Sequence, residues 1–257
     1  MKLRELLSQI KKIQEEINSS TVYICGGAAR DRYMQRLYKI EDLDLTTGDK
    51  TVDIISLKLF DLLKEKYNVK RKIMSDGHSS IFLGNLKIDF SSNYNAPNIE
   101  KILKSLGIDN PSNIRKETYS RDFTCNALLM DFNLTTLIDP TNQGFIDIKQ
   151  KKIKTCLSPN ITFLNKEKRI IRSVYLAAKL GFDIDQSIID YVNINIGNIN
   201  FENINPTFTS DKLNVAFAID GDRAAYFLNK MNLWSHIPIT ESMYPYYLKY
   251  LKVSNAK

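Results

Sequence analysis

The sequence predicts an α+β protein: a mixed sheet flanked by helices over residues 1–155, followed by a small all-helical domain over 156–257. Three observations carry that reading. Much of the first half falls into short apolar runs bounded by Gly and Asn turns, the pattern of strands. Among these runs lie longer segments with apolar residues three and four apart, the pattern of helices covering a sheet. Beyond about residue 155 the strand-like runs give way to helical spacing.

Leu3, Leu6, Leu7, Ile10, Ile13 and Ile17 open the chain as an amphipathic helix. Val22 to Cys25 is a β-prone run, and Gly26-Gly27 ends it where the chain must turn into a helix beginning near Ala28. Two glycines leave backbone N–H groups unshielded at the positive end of that helix, which suits phosphate oxygens, and Arg30 can add a fixed charge. In Asp42-Leu43-Asp44-Leu45 the period of two sends both carboxylates to one side and both leucines to the core. Like charges on one face of a strand repel unless a cation lies between them, and paired carboxylates suit Mg²⁺. A plain tight turn and a solvated edge strand are the structural alternatives; the two patterns in succession are more specific than either.

A second helix is expected over Val52 to Tyr67, then strands at Lys70 to Ile73, Ser80 to Leu83 and Leu86 to Phe90, the last two joined by a Gly84-Asn85 hairpin turn. Asp89 alternates with Ile88 and Phe90, so it faces away from the core. It joins the acidic pair if its strand lies beside that of Asp42; otherwise it is one exposed polar residue. Tyr94 to Arg115 reads as a mobile excursion around one short apolar segment, Ile99 to Leu106. Arg121, Asp122, Thr124 and Asn126 then stand among apolar residues, a polar cluster that either satisfies itself or offers a ribose and phosphates their donors and acceptors.

Leu137 to Asp147 forms a turn-rich joint, and Lys149, Lys151, Lys152 and Lys154 make a basic run, a solvated face or an RNA contact. Helices are expected from about Phe163 to Leu180, at Asp211 to Phe217 and at Arg223 to Asn232, with an apolar segment at Ile188 to Ile196 among them, before a tyrosine-rich tail. A net charge of +7 favours a polyanionic partner. No apolar run is long enough to span a bilayer and no signal-peptide pattern opens the chain, so the expected compartment is the cytoplasm, without a membrane partner. Two histidines and three dispersed cysteines argue against zinc and disulfides.

With these residues laid out, the chain resembles the class II CCA-adding enzymes and bacterial poly(A) polymerases of the DNA polymerase beta superfamily. Gly26-Gly27-Ala28-Ala29-Arg30-Asp31 with Asp42-Leu43-Asp44-Leu45-Thr46-Thr47 is similar to the family's first motif, and Arg121-Asp122-Phe123-Thr124-Cys125-Asn126-Ala127-Leu128 to its second. Arg169-Ile170-Ile171-Arg172, running on to Gly181-Phe182, resembles the base-reading neck helix. Asn165-Lys166-Glu167-Lys168-Arg169 stands where the family has Glu-Asp-x-x-Arg, so Lys166 can only donate where an acceptor is usual. Ser120 replaces the second motif's usual first arginine.

The resemblance implies a polymerase-beta-like nucleotidyltransferase head followed by a helical neck, in a compact form without the usual body and tail. It implies template-independent addition of nucleotides from NTPs to an RNA 3′-hydroxyl, on tRNA or another small RNA. Asp42 and Asp44 would hold two Mg²⁺ ions, and Asp89 would be the third catalytic carboxylate. Gly26, Gly27, Arg30, Asp31, Arg121, Asp122, Asn126, Lys166, Arg169 and Arg172 would bind the NTP, and Lys149, Lys151, Lys152 and Lys154 the RNA. Transfer to a protein or small-molecule hydroxyl, and an inactive RNA-binding relative, are the competing expectations. Oligomeric state has no signature in the sequence.

Overall fold

A computed structural model describes residues 2–36, 40–74, 78–164 and 166–254. The chain divides into two compact units, residues 1–145 and 146–257. In the first, α1 (Leu3–Glu16) buries Leu6, Leu7, Ile10 and Ile13, its expected apolar stripe. Then come β1 (Tyr23–Cys25), α2 (Gly27–Tyr33), β2 (Asp42–Thr46), α3 (Thr51–Lys64), β3 (Val69–Ile73), β4 (Ser79–Leu83) and β5 (Leu86–Phe90). After α4 (Ile99–Ser105) and α5 (Asn113–Tyr119), β6 (Leu129–Met130) and β7 (Leu137–Ile138) complete a seven-stranded sheet in the order β3-β4-β5-β2-β1-β6-β7.

The sheet is mixed. β2 runs parallel to β5 and antiparallel to β1, so the two acid-bearing strands are neighbours near its middle. Leu43, Leu45, Ile88 and Phe90 are fully buried, which fixes the opposite faces of β2 and β5 as the side that carries the acids. Gly84-Asn85 makes the expected turn between β4 and β5. The segment from Tyr94 to Arg115, expected to be an excursion, instead holds α4 and the start of α5. Ile99 and Leu103 anchor α4 in the core, and the Ser112 side chain accepts from the Arg115 N–H to start α5.

α6 (Gly144–Lys149) spans the junction, with Asp139 accepting from the Phe145 N–H at its start. The second unit continues with β8 (Lys152–Ile153), α7 (Pro159–Phe163), α8 (Lys168–Leu180), β9 (Asp183–Ile184), α9 (Gln186–Asn195), α10 (Pro206–Lys230) and α11 (Tyr244–Ser254). The helix expected from about Phe163 to Leu180 begins only at Lys168, because Phe163 ends α7 and Leu164 leaves the helical conformation. The two expected near 211–232 are one run interrupted at Asp220, whose non-helical backbone frees its carboxylate to accept from the Arg223 N–H. Pairing of β8 with β9 adds a short parallel bridge to an otherwise helical unit. Among the described residues no helix is long and apolar enough to cross a membrane.

Candidate active site

Register brings the acids together. Asp44 lies opposite Asp89, and Asp42 opposite Lys87, across the parallel β2–β5 pair. One carboxylate oxygen from each of Asp42, Asp44 and Asp89 falls within 4.8 Å of the others. Ser80, opposite Asp89 on β4, donates to Asp89 Oδ1 at 2.5 Å, and Lys87 Nζ holds Oδ2 and stands 4.0 Å from Asp42. Burial would pull the Lys87 pKa down, but its hydrogen bond to Asp89 and the charges of Asp89, Asp42 and Asp44 outweigh that and raise it. Lys87 is thus a resident counter-ion of the acidic group. The sequence reading passed over it, although its spacing of two from Asp89 puts it on the same face.

The first glycine of the pair is shaped by the acid behind it. Gly26 has φ +69°, and a Cβ there would come within 2.3 Å of Asp44 Oδ2, whereas a Cβ on Gly27 would meet nothing closer than 3.5 Å. Close approach between turn and carboxylate, rather than freedom for its own sake, requires glycine at position 26.

Arg30 is buried and turned inward. Its Nε donates to Asp31 at 2.8 Å and its Nη1 to Asn126 Oδ1 at 2.6 Å. The Asn126 amide reaches Asp122 Oδ1 at 3.5 Å, and that oxygen also accepts from the Phe123 N–H. A continuous polar chain therefore runs from α2 to the turn of 3₁₀ helix at Thr124–Asn126, tying the two sequence motifs together. The structure brings Arg30, Asp31, Asp122 and Asn126 together, and the hydrogen bonds among them make Arg30 a tether between α2 and the second motif.

Arg121 is largely buried beside β1. Its Nη2 donates to Glu117 Oε1 at 2.9 Å and lies 2.8 Å from Cys25 Sγ. Burial would lower the Arg121 pKa, yet Cys25, Glu117 and Asp44 raise it, while burial pushes the Cys25 thiol up to about 12. Glu117, wholly buried, also takes hydrogen bonds from the backbone and side chain of Asn93. This buried ion pair stands behind Asp44 and fixes α5 to the sheet. The sequence reading missed Glu117; its spacing of four from Arg121 was the available signal.

In the second unit, Lys149 and Lys151 are exposed and Lys152 and Lys154 partly so. Arg169 Nη1 donates to the Thr162 carbonyl at 3.1 Å, so the start of α8 is fastened to α7. Lys166, one turn before Arg169, is half-buried, as is Arg172 one turn after it. Asn165 lies outside the described residues.

Several known proteins are similar to this chain. The family model for the Poly A polymerase head domain matches residues 22–154, just over half of the chain. The CCA-adding enzyme of Staphylococcus epidermidis is 28% identical over 201 residues, 77% of this chain and 47% of that enzyme. The tRNA nucleotidyltransferase cca2 of Schizosaccharomyces pombe is 30% identical over 82 residues, 32% of this chain and 17% of that protein. The chain thus spans about half the length, or less, of the curated relatives it matches. Among solved structures, the Thermotoga maritima CCA-adding enzyme complexed with tRNA superposes with a TM-score of 0.66 at 20% identity, covering 90% of this chain and 51% of that one. A CCA-adding enzyme with ATP gives a TM-score of 0.66 at 21% identity, over 93% and 55%. At such identities the superpositions speak for the fold, and the match across residues 22–154 speaks for the family: the chain belongs to the Poly A polymerase head domain family.

Proposed function

We propose that the chain transfers nucleotides, without a template, from NTPs to the 3′-hydroxyl of a tRNA or similar small RNA. The new bond joins the 3′-oxygen to the α-phosphorus, the bond from that phosphorus to the β-phosphate oxygen breaks, and pyrophosphate leaves. One observation carries the reading: in a member of this family, two adjacent parallel strands converge three carboxylates to within 4.8 Å. Three hard oxygen donors fit Mg²⁺. Asp42 and Asp44 would hold two such ions, which when bound supply activation of the attacking hydroxyl and neutralisation of charge on the transferring and leaving phosphates.

The chain's own residues do the positioning. Asp89, held by Ser80 and Lys87, completes the acidic face as the third carboxylate. Gly26 and Gly27, at the turn beside Asp44, would offer backbone N–H groups to the triphosphate. Arg30 and Asp31 hold that turn, and Asn126, Asp122 and Arg121 support the ribose side. The first unit is then the catalytic head. The second supplies Lys166, Arg169 and Arg172 toward the base and Lys149, Lys151, Lys152 and Lys154 toward RNA phosphates. No covalent nucleophile is needed, because such chemistry rests on orientation and charge stabilisation. The names of relatives, CCA-adding enzyme and tRNA nucleotidyltransferase, support tRNA as the acceptor.

The test is incubation with Mg²⁺, each labelled NTP singly, and a pool of small RNAs. Label extending an RNA supports the proposal. Label on protein or a small molecule, or no transfer with RNA still bound, would replace it.

A further inference from the structure

We propose that the solvent face of α8, joined by one lysine of α10, is a docking stripe for the phosphate backbone of single-stranded RNA, separate from the Lys149–Lys154 run. It rests on the RNA-end reading above. Lys168, Tyr175 and Lys179 follow one another at spacings of seven and four, so they line one side of α8. Ile170, Ile171, Val174, Ala177 and Ala178 are buried around the rest of its circumference.

Tyr175 organises the stripe. Lys179 Nζ lies 5.6 Å from the centre of its ring, and Lys212 Nζ, arriving from α10, lies 4.8 Å from it. The negative faces of an aromatic ring attract ammonium groups, so one ring collects two cations that would otherwise separate. Among the described residues neither lysine has a carboxylate partner within salt-bridge distance. An anion placed between them relieves their repulsion. The surroundings point to a polyanion: residues 149–180 carry nine lysines and arginines against one acid, Glu167, so this segment alone holds a net +8 where the whole chain has +7. The stripe extends along about 16 Å of helix, which suits a strand rather than a single anion. A lipid surface fits poorly, because an interfacial helix must expose an apolar face and the apolar side of α8 is already buried.

Binding of a labelled single-stranded RNA to the full chain, without NTP, across a series of KCl concentrations, tests this. Replacing both lysines (Lys179→Gln with Lys212→Gln) is expected to weaken binding and to flatten the plot of log affinity against log salt by about 1.4, two lost contacts at about 0.7 each. Tyr175→Leu keeps every charge, so the slope should stay near wild type while affinity falls about two- to fivefold, and Tyr175→Phe should restore it. Lys11→Gln with Lys12→Gln on α1 removes the same charge elsewhere and should leave the slope unmoved. An unchanged slope in the Lys179/Lys212 variant, equal losses in the α1 control, or binding to phosphatidylserine vesicles but not to RNA would overturn the stripe. RNA binding with the expected slopes but no nucleotide incorporation would overturn the proposed activity and leave the stripe standing.

Discussion

Gly26 and Gly27 look equivalent in the sequence, and the structure separates them. Alanine at 26 must adopt φ +69° and place its Cβ 2.3 Å from Asp44 Oδ2. The backbone term is about 1–3 kcal/mol for such a sparsely populated conformation. Ordinary contact begins near 3.4 Å, so the carboxylate must retreat by about 1.1 Å. Misplacing a catalytic group by about 1 Å costs on the order of a hundredfold in rate. Gly26→Ala should therefore lower the turnover of nucleotide incorporation about a hundredfold and lower thermal stability by a few degrees. Gly27→Ala, with 3.5 Å to its nearest neighbour and no positive φ, should change turnover by less than tenfold. Steady-state incorporation beside thermal melts would read both variants. Turnover of Gly26→Ala within threefold of wild type, or equal losses in the two, would refute the argument that Asp44 dictates this glycine.

Other substitutions probe separate parts of the molecule. Glu117→Gln leaves the largely buried Arg121 without its anionic partner and should cost about 3 kcal/mol in urea unfolding; a loss under about 1 kcal/mol would show the pair to be dispensable. For Asp49, burial would raise the pKa, but hydrogen bonds from Ser20, Thr51 and Thr47 outweigh it and lower it. That stabilisation is present above the unfolded value near 4 and is lost as pH falls through the lower folded value. Asp49→Ala should cost about 1 kcal/mol at pH 7, and its difference from wild type should shrink in melts taken at progressively more acidic pH. On the proposal that Lys166 faces the incoming base, its donors should blur discrimination for CTP and ATP by about ten- to a hundredfold, and Lys166→Asp should sharpen it; unmoved kcat/KM ratios across the four NTPs would remove Lys166 from base reading.

Legibility followed the strength of the local signal. Period two in β2 and β5 put Asp42, Asp44 and Asp89 on polar faces, and the buried Leu43, Leu45, Ile88 and Phe90 enforce that choice. Which strands become neighbours is a non-local fact, so Asp89 joins the group only once β5 is seen beside β2. Lys87 shares that dependence, because its meaning comes from Asp42 across the register. α4 escaped notice because two turns carry too few apolar positions for a period, and Ile99 and Leu103 are held by the core rather than by propensity. The inward turn of Arg30 was equally hidden, since its partner Asn126 is far away in sequence and close only in the fold.

Asp44→Asn is the sharpest probe of the proposed metal-dependent nucleotidyl-transfer centre formed by Asp42, Asp44 and Asp89. Single-turnover incorporation by this variant should be compared with wild type at saturating Mg²⁺, NTP and RNA, with RNA affinity and melting temperature measured on the same samples. Incorporation should fall by several orders of magnitude with RNA affinity unchanged, and the melting temperature should hold or rise as repulsion among the carboxylates is relieved. Incorporation within a few-fold of wild type would contradict the proposed centre.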